Sequence, residues 1–327
     1  MKLHKNQTLF LEVIRAAAHS YSMRAVYIEK DYWVTYCLKN VFTSALKERV
    51  VFKGGTSLSK VYGIINRFSE DVDLALLPEQ GRSDSHTKKN LREITISAGK
   101  GLTEDEHTAG TEKHTKIRKV YYIYPRLADG EIFGQVGQRL LIEANAFSRP
   151  QPNEYKRVQC YLTDFLQERK ESSIIADYNL DPFSVQVLLP EKTLAEKTLS
   201  LIRASLQDQP LDFLRRKIRH IYDIHQLLQM DDVRTNVFSK NFLEQLEVTL
   251  EDDLSGPTGN KDWLNRRFVD AHIFSNPKKV WPYLSSVYNA DFKDMMFGPL
   301  PHEDQVLKSL ELLGEIVRDF DENRFKA

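Results

Sequence analysis

Residues 50–77 read VVFKGGTSLSKVYGIINRFSEDVDLALL, and this stretch decides the fold class. Val50-Val51-Phe52 is a short apolar run of the kind a buried strand requires. Gly54-Gly55 break it, and Thr56-Ser57 lead into a helix expected over about 57–65. Two glycines let a backbone approach a ligand closely. The hydroxyls suit helix capping, and the free N–H groups of a helix start face an anion. The turn is not a Walker loop, because Leu58-Ser59 stand where that motif would form its second Gly-Lys. By itself it fits a structural strand-to-helix corner equally well. Residues 71–77 then alternate as a strand. Asp71 and Asp73, at i and i+2, project from one face, while Val72, Leu74 and Leu76 fill the sheet. Two carboxylates about 6–7 Å apart along a strand repel unless a cation lies between them. Hard oxygen ligands of this kind suit Mg²⁺, which completes its shell with phosphates and water.

A third acid, Glu143, lies inside the apolar run LLIEANAF at 140–147. Burying it unpaired is costly. Either a cation shared with Asp71 and Asp73 or a salt bridge to a nearby Lys or Arg accounts for it. Working outward, residues 1–48 read as helical, with a second helix over about 29–46 whose apolar stripe is Trp33, Cys37, Leu38, Val41 and Phe42. Strands are expected at 119–124, 139–147, near 157–162 and at 184–189, with turn signals at 128–130 and 149–152. Residues 78–118 are polar and poor in large apolar side chains, which predicts a loop, lid or inserted segment. From Pro190 the pattern is helical, over 191–204, 211–229, 239–250 and 305–320, with a polar linker at 252–260. The expected division is an α+β core over 1–189 and a helical part over 190–327.

Composition narrows the function classes. Lys plus Arg and Asp plus Glu both number 46, so bulk charge does not drive the 327-residue chain onto nucleic acid or anionic lipid. No stretch approaches the roughly 18 apolar residues of a membrane helix, and the N-terminus lacks a signal-peptide layout. Two cysteines, Cys37 and Cys160, form no disulfide framework and suit a reducing cytoplasm. His220 and His225 have poor spacing for a shared metal, and no HExxH occurs.

FKGGTSLSK at 52–60 followed by RFSEDVDL at 67–74 closely resembles the AbiEii/AbiGii nucleotidyltransferases, toxins of bacterial abortive-infection and toxin–antitoxin systems to which the MenT toxins are related. The resemblance extends to IEKDYW at 28–33, AEK at 195–197 and RHIYDI at 219–224, with a trace in MMFGPLP at 295–301. It implies a DNA polymerase beta-like nucleotidyltransferase core with a mixed sheet and a helical C-terminal part. It implies that Gly54, Gly55, Thr56 and Ser57 hold a nucleoside triphosphate and that Asp71 and Asp73 hold one or two Mg²⁺ ions. Glu143 follows from the general pattern as a third carboxylate, on the metal or as a base. The family's lysine matches Lys197, suited to the β- and γ-phosphates, and its later aspartate matches Asp223. The pattern departs at His220, where an aspartate is usual.

Lys60 and Arg67 lie between the glycine turn and the acids, where either can meet phosphate or base; a solvated helix face is the alternative. Lys30 and Asp31 either buttress the site or pair with each other. Arg215, Arg216, Lys217 and Arg219 form a basic patch suited to acceptor-stem phosphates. The expected reaction moves an NMP from an NTP to an acceptor hydroxyl, the tRNA 3′ end by resemblance. The expected partner is an antitoxin encoded nearby. The rivals are a nucleotidyltransferase acting on a protein or small molecule, and a nucleotide-binding regulatory module without turnover.

Overall fold

A computed structural model describes residues 1–79, 81–128, 138–257 and 261–326. It divides into two compact units, Met1–Gly63 with Phe68–Leu188, and Ile64–Arg67 with Leu189–Ala327.

The first unit is built on an eight-stranded mixed sheet. In chain order its elements are α1 (Gln7–Ser20), α2 (Ala25–Phe42), β1 (Val50–Lys53), α3 (Gly54–Lys60), β2 (Val72–Leu76), α4 (Asp84–Ala98), β3 (Thr103–Asp105) and β4 (Glu112–Lys113). They continue with β5 (Ile117–Ile123), β6 (Arg139–Asn145), β7 (Asn153–Val158), α5 (Tyr161–Glu168), α6 (Ser172–Asp177) and β8 (Phe183–Leu188). The sheet runs β3-β5-β6-β2-β1-β8-β7, with β4 on β5. The pairs β2/β6 and β1/β8 are parallel and the others antiparallel. The central strands are apolar where the sheet is covered: Val50, Val51, Phe52, Val72, Leu74 and Ile142 are all buried. Helix α2 packs against α1, α4, α5 and the strands β2 and β8. Every residue from Val26 to Thr35 is buried, so this helix has no solvent face in that stretch.

Several expectations are corrected by the structure. Residues 78–118 are not an irregular insertion among the described residues, since they carry α4, β3 and β4. Helix α4 begins at a Ser83 cap and buries Leu91, Ile94, Thr95 and Ala98, a stripe too thin in large side chains to stand out in a polar segment. The strand expected near 157–162 ends at Val158, and Tyr161 opens α5. The helix expected after Ser57 starts at Gly54 and ends at Lys60. The turn signal at 128–130 falls partly outside the described residues, as does the end of the 252–260 linker, whose first residues close a helix.

The second unit is helical. It comprises α7 (Pro190–Ser205), α8 (Pro210–Arg216), α9 (Ile218–Leu227), α10 (Asp231–Asn236), α11 (Lys240–Ser255), α12 (His272–Ser275), α13 (Pro277–Val287) and α14 (Glu303–Lys326). The long helix expected over 211–229 is two, α8 and α9, joined at Lys217. Helix α7 packs against α8, α9 and α11, and α14 packs against α9. The segment Ile64–Arg67 joins this unit: Phe297 N donates to Asn66 O at 3.1 Å, and Arg67 bridges Met296. A Cβ on Gly298 would lie 2.8 Å from that of Asn66, so the FGPL turn can lie against this segment only with glycine there. No described helix is long and apolar enough to cross a membrane.

Candidate active site

The first unit gathers the glycine turn and two of the acids. In β1/β2, Lys53 faces Asp73, and in β2/β6, Asp73 faces Glu143. Farther along, Glu143 faces Lys119 of β5, and Lys119 faces Glu112 of β4. Residues in register on neighbouring strands share a face, so one row crosses the sheet as Lys53, Asp73, Glu143, Lys119 and Glu112. Its charges alternate except at the centre, where two carboxylates adjoin. Asp71, two residues before Asp73, precedes β2, and all three acids are partly exposed.

Gly54 sits directly against this row. Its φ is +82°, a left-handed conformation that side chains rarely adopt, and a Cβ there would lie 2.1 Å from Asp73 Oδ2. Glycine is thus required twice over, for backbone conformation and for space beside the carboxylate. The hydroxyls do not cap α3 as expected. Ser57 Oγ donates to Gly54 O at 2.8 Å, and Thr56 Oγ1 is 2.9 Å from Ser69 Oγ. Thr56 therefore ties the turn to the segment leading into Asp71.

Glu143 takes the salt bridge that its sequence position left open: its Oε2 is 3.4 Å from Lys119 Nζ, which also reaches Glu112 at 3.3 Å. Burial alone would lower the Lys119 ammonium, but the two carboxylates outweigh it and raise it. Among the described residues no three His, Cys, Asp or Glu side chains close into a metal-holding group.

Lys60 and Arg67 have protein partners. Lys60 pairs with Asp31, and its side chain is 4% exposed. Arg67 grips Asp223 in the second unit, Nε to Oδ1 and Nη2 to Oδ2 both at 2.7 Å. Lys197 Nζ completes a buried triad, 2.8 Å from Asp223 Oδ2. Asp223 on α9 is fully buried. Burial alone would raise its carboxyl, but the charges and hydrogen bonds of Arg67 and Lys197 hold it below the usual carboxylate range. Beside it, Tyr222 Oη accepts from Asn66 N at 3.1 Å. His220 Nδ1 is buried without a hydrogen-bond partner among the described residues. Burial first, then the neighbouring cations Lys197, Lys217, Arg67 and Arg219, push this imidazole well below its usual range, so it is neutral.

Two features escaped the sequence reading, and one of its two alternatives for Lys30 and Asp31 does not occur. Lys30 and Asp31 do not pair with each other: Lys30 Nζ is 2.5 Å from Glu70 Oε2 and donates to Arg139 O at 2.7 Å. Glu29 accepts from the amides of Leu127 and Ala128 at 2.8 and 2.9 Å. Arg67 serves Asp223 rather than the turn. The available signal was IEKDYW itself, three consecutive charges flanked on both sides by apolar residues.

A family model described as "Nucleotidyl transferase AbiEii toxin, Type IV TA system" matches residues 37–311. No curated protein matches the chain. Among solved structures, MenT4, a nucleotidyltransferase toxin from Mycobacterium tuberculosis H37Rv, aligns over 94% of this chain and 98% of its own. The identity is 15% and the TM-score 0.45.

Proposed function

This chain belongs to the AbiEii family of nucleotidyltransferase toxins of type IV toxin–antitoxin systems, and from that premise we propose that its reaction centre is the acid face beside Gly54. The single observation that carries this reading is the fit of Asp73 Oδ2 into the space a Gly54 side chain would fill, 2.1 Å from the missing Cβ. A backbone turn suited to phosphate and a carboxylate suited to metal thus adjoin. In the proposed reaction an acceptor hydroxyl oxygen bonds to the α-phosphorus of an NTP. The bond from that phosphorus to the α–β bridging oxygen breaks, and pyrophosphate leaves. Asp71 and Asp73 would hold Mg²⁺, which when bound offsets charge on the attacking and leaving oxygens. Glu143 accepts the hydroxyl proton, as a partly exposed carboxylate beside the acids can. Gly54, Gly55, Thr56 and Ser57 form the triphosphate turn. Lys197 is proposed, on the family pattern alone, as the lysine for the β- and γ-phosphates, and Asp223 fixes its ammonium.

The acceptor we propose is the tRNA 3′ end, in the cytoplasm, where NTPs and tRNA meet. Two free, buried thiols, Cys37 and Cys160, suit that compartment. Arg215, Arg216, Lys217 and Arg219 are the residues proposed to grip acceptor-stem phosphates. Family membership implies an antitoxin partner. The test is incubation with each α-labelled NTP, Mg²⁺ and total tRNA. The expected result is label at the tRNA 3′ end, abolished by EDTA. Label on protein or a small molecule would replace the acceptor. NTP binding without any transfer would replace the enzyme reading with a regulatory one.

A further inference from the structure

Three consecutive charged residues, Glu29, Lys30 and Asp31, lie in the buried stretch of α2 with exposures of 0%, 1% and 7%. Charges are costly there unless each is paired. Successive helical residues point about 100° apart, so the three leave the helix in different directions. Lys30 and Asp31 end on segments of the candidate site, and Glu29 on the chain beyond β5. Lys30 holds Glu70, the residue before Asp71, and the carbonyl of Arg139 at the start of the Glu143 strand. Asp31 holds Lys60, the last residue of the helix that begins at Gly54, and accepts from Tyr161 N at 2.8 Å. Glu29 holds the amides of Leu127 and Ala128, beyond the Lys119 strand.

We propose that Lys30 and Asp31 are positioning residues of the transferase, tying the metal-acid segment, the helix of the phosphate turn and the Glu143 strand to one buried helix. The inference rests on the acid-face reading above. Lys60 then acts through Asp31 rather than on phosphate, and Glu70 acts through Lys30 on the aim of Asp71. Neither helix residue needs to touch substrate. Displacing a reacting group by about 1 Å costs on the order of 100-fold in rate, so loosening either tie reads out in kinetics before it unfolds the chain.

The two ties predict different kinetic signatures. Glu70→Gln should lower kcat on the order of 10–100-fold and raise the Mg²⁺ concentration for half-maximal rate, with KM for NTP little changed. Asp31→Asn should raise KM for NTP about tenfold, because α3 loses its anchor. A Lys60 that bound phosphate directly would instead be released by Asp31→Asn, and KM would fall. The measurement is steady-state label transfer by full-length variants whose folding is verified by circular dichroism, with Asp73→Asn alongside. Wild-type kinetics in folded Glu70→Gln and Asp31→Asn, or a lowered KM in Asp31→Asn, would overturn the positioning role. Should Asp31→Asn not fold, Asp31→Glu carries that arm: it keeps the charge pair but moves α3, so KM should still rise, whereas a Lys60 bound directly to phosphate would leave KM unchanged. Activity in Asp73→Asn would instead remove the acid-face reading itself, so the two failures are distinguishable.

Discussion

The charged groups of the two units are arranged on opposite principles. On the sheet of the first unit, Asp73 and Glu143 stand side by side and partly exposed, two like charges brought together. In the second unit, Arg67, Lys197 and Asp223 form a closed group in which the carboxylate is fully buried and accepts from two cations. The two carboxylates are flanked by lysines in register, Lys53 beside Asp73 and Lys119 beside Glu143, so the like charges sit between cations while staying partly exposed. A buried carboxylate held from two sides offsets its own desolvation. The first arrangement leaves its acids within reach of solvent, and the second ties a helix to the Ile64–Arg67 segment of the same unit.

Asp73→Asn separates the two most sharply. Transfer should fall by about three orders of magnitude, since a metal ligand supplies several kcal/mol at the transition state. The thermal midpoint should hold or rise as repulsion is relieved.

Asp223→Asn should do the reverse in the second unit. It leaves Arg67 and Lys197 against a neutral amide, and chemical denaturation should show a loss of about 3–5 kcal/mol. Lys197→Met keeps the Arg67–Asp223 pair, so most stability should survive. Growth arrest on expression without the antitoxin should nevertheless be relieved at equal soluble protein. Persistent arrest would remove Lys197 from the reaction.

Gly54→Ala tests the contact between turn and acid. The added methyl meets Asp73 Oδ2 and strains a positive φ, so transfer should fall about 100-fold at a stability cost of roughly 1 kcal/mol. Undiminished transfer would show that the turn and Asp73 work apart.

The smallest effect concerns His220. The fold keeps it neutral, whereas an unfolded histidine takes a proton below about pH 6.5. The unfolded state therefore binds more protons, and this contribution to stability is present above that pH and is lost as pH falls below it. His220→Gln should flatten the acid-side decline in unfolding free energy between pH 6.5 and 5, by less than about 1.4 kcal/mol per pH unit. An unchanged slope would mean that the imidazole titrates normally in the fold.

Much of the sheet was legible in sequence because apolar runs and alternation at 50–52, 72–76 and 183–188 carry their own period. The glycine turn and the acids were legible for a related reason, since left-handed backbone and paired carboxylates are rare enough to mark themselves. Helix α4 was hidden because its buried stripe uses Thr95 and Ala98 beside only two large apolar residues. The division of α8 from α9 at Lys217 has no proline or glycine to announce it. Partners of buried charges were the least legible part. Asp31 meets a lysine 29 positions away and Arg67 an aspartate 156 positions away, and no local pattern encodes such pairings.

The most direct test of the account is label transfer from α-labelled NTP to tRNA, measured side by side for Asp73→Asn and Asp223→Asn at a temperature where both are folded. The account predicts that Asp73→Asn is inactive with its thermal midpoint kept, while Asp223→Asn loses stability and retains measurable transfer. A folded Asp73→Asn that transfers label at the wild-type rate would contradict it.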